Sequence, residues 1–245
     1  MIPLKVETYT PMTINTLSNT ALLNLMTLLS PSFPVGGYVY SHGIEYAVEG
    51  GRITNEQDLC VWINAALRHG TGRIDGILFK SAWAAVTENK VIDLEWVIER
   101  SDVMRGTKEM GLESQSQGKA FLDTTAQVWD LEKLDQVMEV VGGMEHQPTY
   151  PVAVAIVSAA SDIPLQASLL AYFHAFSANL VSAGIRLVPL GQVAGQRGME
   201  ELKLSIDDMV EATILGKIEN LGTAAPIIDW ASMQHETQYT RLFRS

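Results

Sequence analysis

Apolar residues recur at helical spacing along almost the whole chain. Leu59, Trp62, Ile63, Ala66 and Leu67 fall on one face of a helix, and Thr54 with Gln57 precedes them at the spacing of a capping box. Leu165, Leu169, Tyr172, Phe173, Phe176 and Leu180 form a second, broader stripe, with Pro164 suited to the first turn and Gly184 to the exit. Weaker periodicity marks residues 17–29, 74–86, 94–104, 114–128, 131–141 and 193–215. Val152 to Val157 has strand propensity, but Ser158-Ala159-Ala160 and the surrounding periodicity predict a helix entered through Pro151. Alternating β-branched segments bounded by hairpin turns are scarce. The pattern therefore predicts an all-α fold, a single-domain bundle-like packing of helices. Stripes wider than one groove can fill leave surface for a second subunit, so oligomerisation is expected.

The 245 residues, 47% of them hydrophobic, suffice for a substantial core. The expected organisation is a leader over residues 1–17, poorly ordered because of Pro3, Pro11 and several threonines, then a helical body over 18–221 and a partner-docking segment over 222–245. Gly142-Gly143 through Pro151 is the best internal joint, too short for a free linker. A formal charge of -11, without a stripe of Lys and Arg, excludes a nucleic-acid footprint. One cysteine, Cys60, cannot close an internal disulfide and fits a reducing compartment, so the cytoplasm is the expected location. No uninterrupted apolar stretch approaches the roughly 20 residues needed to cross a bilayer.

The densest backbone constraint lies in Ser30-Pro31-Ser32-Phe33-Pro34-Val35-Gly36-Gly37-Tyr38, which runs into Ser41-His42-Gly43-Ile44-Glu45-Tyr46. Two prolines fix φ and withhold donors, and the paired glycines permit positive φ or close approach. Downstream, His42 and Glu45 stand three apart and could share a helix face as a metal or proton-transfer pair, or act as a hydrogen-bonded pair that fixes the joint.

Candidate chemistry is sparse. His235-Glu236-Thr237-Gln238-Tyr239 approaches the zinc-protease helix, but Tyr239 stands where the second nitrogen ligand belongs. Gly111 and Gly118-Lys119-Ala120 resemble a phosphate loop with the wrong gap and no hydroxyl for magnesium. Ser114 to Lys119 reads as a solvated polar run, Cys60 as an inert small hydrophobe and His174 as a packing residue. Gln192, Gln196 and Arg197 present a directional polar surface on a helix entry rich in small residues. Tyr239, Arg241, Phe243 and Arg244 combine rings with guanidinium groups, the residue types that anchor protein interfaces. Left alone, that tail is expected to be mobile.

Three separated segments carry a resemblance. Residues 30–45, with their Ser-Pro-x-x-Pro-Val-Gly and Ser-x-Gly-x-Glu pattern, Pro189 to Arg197, and His235 to Ser245 together resemble the signatures of the urease accessory protein F (UreF) family, in the same order. The resemblance implies an all-helical, homodimeric, non-enzymatic scaffold in urease maturation. It would bind urease accessory protein D (H in some organisms) and through it the GTPase accessory protein G, and so reach the urease apoprotein. The complex would handle nickel as cargo, with no cofactor held tightly by this chain. On this reading the partner-binding residues are Glu45, Tyr46, Gln192, Gln196, Arg197, His235, Tyr239, Arg241 and Phe243, with Glu45 and Tyr46 buttressing a tail that orders on the D-type protein. Two alternatives stand beside it. One is a metal-dependent hydrolase assembled from His42, Glu45, His235 and Glu236; the other is a catalytic activator that inserts Arg197 or Arg241 into the partner GTPase.

Overall fold

The structure, a computed structural model, describes residues 17–244; the leader expected over residues 1–17 lies outside the described residues, Leu17 excepted. Among the described residues there are eleven α-helices and no strand. They are α1 (Asn19–Leu28), α2 (Ile44–Glu49), α3 (Glu56–Arg68), α4 (Thr71–Thr87), α5 (Val91–Val103), α6 (Lys108–Val128), α7 (Glu132–Gly142), α8 (Tyr150–Ala160), α9 (Leu165–Leu187), α10 (Gln192–Leu215) and α11 (Pro226–His235).

The centre is α8. Every residue from Pro151 to Ala160 is buried, because α4, α6, α7 and α9 enclose it. A helix buried on all sides has no polar face to show in sequence, which is why this segment also reads as a strand. Around it, α9 packs on α10, α3 and α2, and α11 closes the assembly against α2 and α6. By length and composition α9 could cross a membrane, contrary to the expectation of no such stretch. Half of its most apolar window is buried against neighbouring helices.

Several predicted ends move for identifiable reasons. The capping box expected at Thr54 and Gln57 shifts by one residue. Asn55 caps α3, its side chain accepting from the Asp58 N–H at 3.0 Å, while the Thr54 hydroxyl and N–H donate to the Asp58 carboxylate at 2.8 and 3.0 Å. Pro164 lies just before the first helical residue of α9, and Gly184 is interior, not an exit. A Cβ there would meet Leu59 Cδ2 at 2.4 Å, so the glycine lets α3 touch α9. Helix α6 begins six residues before the expected start because Thr107 caps it, accepting from the Met110 N–H. The Gly142–Pro151 joint is simply the link between α7 and α8.

The proline-glycine joint folds as a hook. Gly36 takes φ +73°, a short 3₁₀ turn follows over Gly37–Val39, and Phe33 anchors the hook against Phe121 and Trp129 at ring distances of 5.0 and 6.3 Å. His42 and Gly43 also have positive φ, and the chain then enters α2. At Gly43 a Cβ would stand 3.1 Å from the Ser232 nitrogen, so the bare backbone brings α11 onto the start of α2. This contact sets the geometry of the site.

Candidate functional site

Three helices converge on one buried histidine. His235, the last residue of α11, is fully buried. Its Nδ1 lies 2.8 Å from Glu109 Oε2 in the first turn of α6, and its Nε2 lies 3.0 Å from Glu45 Oε2 in the first turn of α2. Glu45 and Glu109 are themselves buried and sit near helix N-termini, where the peptide dipoles favour carboxylates. Arg241 donates to Glu109 Oε1 and so balances the second carboxylate. Two carboxyl groups, an imidazole and a guanidinium thus meet in one largely buried node, where each polar group has a partner in place of water.

The node fastens the segment after α11. Leu242 N–H and Phe243 N–H donate to Glu45 Oε1 and Oε2 at 2.6 and 2.9 Å, and Arg244 N–H donates to the Val39 carbonyl at 2.7 Å. Arg241 also reaches the Arg244 carbonyl at 2.6 Å and the Glu236 carbonyl at 3.4 Å. Phe243 is buried, while Tyr239 and Leu242 point outward, fully and two-thirds exposed. The expectation of a mobile tail is therefore corrected. Residues 236–244 form a strap seated on the body, because Glu45 supplies acceptors for backbone groups that would otherwise need water.

The other candidates fall in separate places. Tyr46 packs its ring edge-on against Trp230 of α11 at 5.2 Å. Gln192, Gln196 and Arg197 are exposed on the first turns of α10, and Arg197 is held by both oxygens of Glu56 at 3.1 and 2.8 Å. The supposed His42–Glu45 pair is not formed. His42 precedes α2 in a left-handed conformation, and its Nε2 faces the Thr71 hydroxyl at 2.8 Å. With Glu236 exposed on the surface, the four residues of the hydrolase alternative are not assembled. Among the described residues, no group of three or more His, Cys, Asp or Glu is arranged to hold a metal ion.

Two polar features escape the sequence reading. Part of the supposed solvated run is interior: Ser114 and Gln117 are buried, as is the adjoining Gly118, and Ser114 Oγ accepts from the Tyr150 N–H at 3.2 Å. Nearby, Arg105 donates to Asp75 Oδ1 at 2.7 Å and to Thr149 at 3.1 Å, while Tyr172 donates to Asp75 Oδ2 at 2.8 Å. Burial, followed by the Asp75 charge, pushes the Tyr172 hydroxyl well above its ordinary range. The network borders a cavity of about 40 Å³, with His42 and Glu113 on its wall. A carboxylate inside the apolar run Ile74-Asp75-Gly76-Ile77 was the available signal for it. His174, expected to pack inside, is exposed. Cys60 is buried as expected, and burial followed by the Glu201 and Glu56 charges pushes its thiol up to about 11.

Fold and site together define an all-helical protein in which a buried polar centre fastens a strap of its own chain onto the body. The sequence profile of UreF matches residues 53–203. The urease accessory protein UreF of Rhodopseudomonas palustris (strain TIE-1) is 41% identical over 225 residues, covering 92% of either chain. The corresponding proteins of Bradyrhizobium diazoefficiens and Granulibacter bethesdensis are each 40% identical, over 92% of this chain and 92% and 94% of theirs. This chain belongs to the UreF family.

Proposed function

We propose that this protein is a urease maturation factor that works as a non-enzymatic scaffold. It binds accessory protein D (H in some organisms) and recruits the GTPase accessory protein G, so that nickel, the cargo of the assembly, is inserted into the urease apoprotein in a GTP-dependent step. The cytoplasm is the setting proposed for it. The observation that carries the reading is the strap. The node takes up the Arg241 guanidinium and the Leu242 and Phe243 N–H groups, while the Tyr239 and Leu242 side chains are left facing outward, an arrangement suited to docking and not to catalysis. Ordering within the isolated chain lowers the entropy lost on association, so the strap acts as a preformed face instead of one folded by its partner. Arg197 and Arg241 are both tied to carboxylates of their own chain, which favours recruitment over insertion of an arginine finger.

A homodimer is part of the proposal. Leu22, Met26 and Leu170 stand exposed around an apolar groove of about 630 Å³ between α1, α9 and α10, surface that a second copy would cover. Light scattering on Met26→Glu, read against the unaltered chain, checks this.

The deciding experiment is a pull-down with the D-type and G-type proteins, using Tyr239→Ala combined with Leu242→Ala, and separately Arg241→Ala. The outward pair should lose the assembly without loss of thermal stability. Normal recruitment of both partners by all variants would defeat the strap as the docking face.

A further inference from the structure

The apolar groove between α1, α9 and α10 has the start of the described chain built into its wall. Leu17, Leu22, Leu25 and Met26 line it from the side of α1, and Leu170 and Ile206 from α9 and α10. Leu25 and Ile206 are buried, whereas Leu22, Met26 and Leu170 are exposed together, a patch of the kind that marks a contact surface. Ser18 caps α1 from extended backbone, its Oγ accepting from the Ala21 N–H at 3.1 Å. Leu17 and Leu22 therefore hold the two positions, just before the cap and four residues after it, whose side chains staple together and fix the angle of entry. Both line the groove, so the chain enters α1 from the groove side. The sixteen residues before Leu17 alternate: Ile2, Leu4, Val6, Met12 and Ile14 fall on even positions, and Lys5, Glu7 and Asn15 on odd ones. Period two is the pattern of an extended chain with one apolar face, and Pro3 and Pro11 oppose a backward continuation of α1.

We propose that residues 2–14 occupy this groove when the chain is alone, even-numbered side chains inward, and that a second copy must displace them to dimerise. Length fits. Helix α1 has ten residues and is about 15 Å long, a distance that about five extended residues cover. Residues 10–14 thus span the groove along α1, and those before them suffice to cover the wall formed by α9 and α10. Charge fits as well, since the groove carries one cation and one anion, Lys203 and Asp207, and the segment carries Lys5 and Glu7. A tethered segment also meets its site at a high effective concentration, whereas a second copy has to arrive by diffusion. The cost to the dimer follows from the occupancy. Where the segment covers the groove about four-fifths of the time, about one chain in five is open, and a two-fold contact through this face needs both chains open, so dimer affinity falls about 25-fold. The displacement step rests on the homodimer of the scaffold reading above; the place of the segment in the groove does not.

Hydroxyl-radical oxidation of the full chain, read peptide by peptide in a mass spectrometer, tests the occupant. The protein is diluted until light scattering shows single chains. Met26, 65% exposed on the groove wall, should oxidise about fivefold more slowly in the unaltered chain than in the double variant Leu4→Asp with Ile14→Asp. Met233 on α11, 48% exposed and away from the groove, should oxidise equally in both. The same double variant should dimerise about 25-fold more tightly. Lys5→Gln with Glu7→Gln, at the outward positions, should change neither reading. Equal oxidation of Met26 in the unaltered chain and the double variant would overturn the proposal. So would protection of Met26 that appears only where the chain pairs, because the occupant is then the second copy, or a dimer that persists at every dilution. Met26 freed with dimer affinity unchanged would overturn the displacement. Slow oxidation of Met26 in the unaltered single chain, with no dimer from either protein, counts against the homodimer and leaves the segment in its groove.

Discussion

Replacing Glu45 by Gln tests the buried node most directly. The change is nearly isosteric, so packing around α2 is preserved while the charge is lost. In the native chain the carboxylate accepts from Leu242 N–H, Phe243 N–H and His235 Nε2. An amide offers one oxygen to these three donors and aims an NH₂ group at the rest. Hydrogen bonds to a charged acceptor contribute about 1.5–3 kcal/mol each, and breaking a buried ion pair by removing one partner costs about 3–5 kcal/mol, mostly because the other charge stays buried. The two losses are distinguishable by place. Loss of the backbone bonds acts on the strap alone and should bring residues 240–244 to nearly free exchange. Loss of the His235 partner acts on α11 and the body, and should lower the protection of the slowest α8 and α9 amides by about 3 kcal/mol or more. Native-state amide exchange reads both in one experiment. A strap that keeps its protection, or core amides that shift by less than about 1 kcal/mol, would refute the account of the node as the fastener of strap and helices.

Other outcomes follow from particular contacts. His146 donates to Asp102, and that bond, against a smaller opposing effect of desolvation and with the nearby carboxylate charges, raises the imidazole above its ordinary value. A raised folded value means that the stabilisation is complete at pH below the unfolded value and disappears as pH climbs through the folded one; His146→Gln should therefore flatten the fall in melting temperature as pH rises above the ordinary imidazole value. Gly118→Ala sets a helix-propensity gain of about 1 kcal/mol against a Cβ placed 2.2 Å from the Pro148 carbonyl oxygen, a backbone atom that cannot swing aside. Overpacking of about 1–3 kcal/mol or more should prevail and the melting temperature fall; a rise would show that α6 and α8 can part freely. Cys60, buried and with its thiol pushed up to about 11, should resist alkylation near neutral pH in the folded chain and react only as fast as the body opens. Rapid labelling of intact protein would contradict its placement between α3 and α10.

The long periodic helices were legible because burial on one face leaves a 3.6-residue rhythm, and α3, α9 and α10 appear close to where the rhythm places them. Their ends were less so. Gly184 looks like a helix exit until Leu59, more than a hundred residues away, is seen resting on it. The polar run at Ser114–Gln117 looks like surface because sequence alone does not say that α8 will lie across it. For the site, Glu45, His235, Arg241 and Phe243 stood out one by one, through a near-motif, a tail composition and a family resemblance. Glu109 did not. It is one of 28 acidic residues and marked only by its place just after the Thr107 cap. Pairings across such sequence distances depend on how helices dock, and docking leaves no local signature.

The all-round burial of α8 also bears on how this protein fails. Its sequence from Tyr150 to Ala160 is rich in Val, Ile and Ala and carries no charge, the composition of segments that pair edge to edge as extended strands when exposed. In the folded molecule its residues from Pro151 to Ala160 are buried. Once the surrounding helices part, it can join the same segment of another chain faster than the bundle re-forms, and unfolding becomes a one-way event. Heated samples should accordingly precipitate, with an apparent melting point that rises with scan rate. The working lifetime of the protein is then a matter of how often α4 and α6 open, a rate and not an equilibrium.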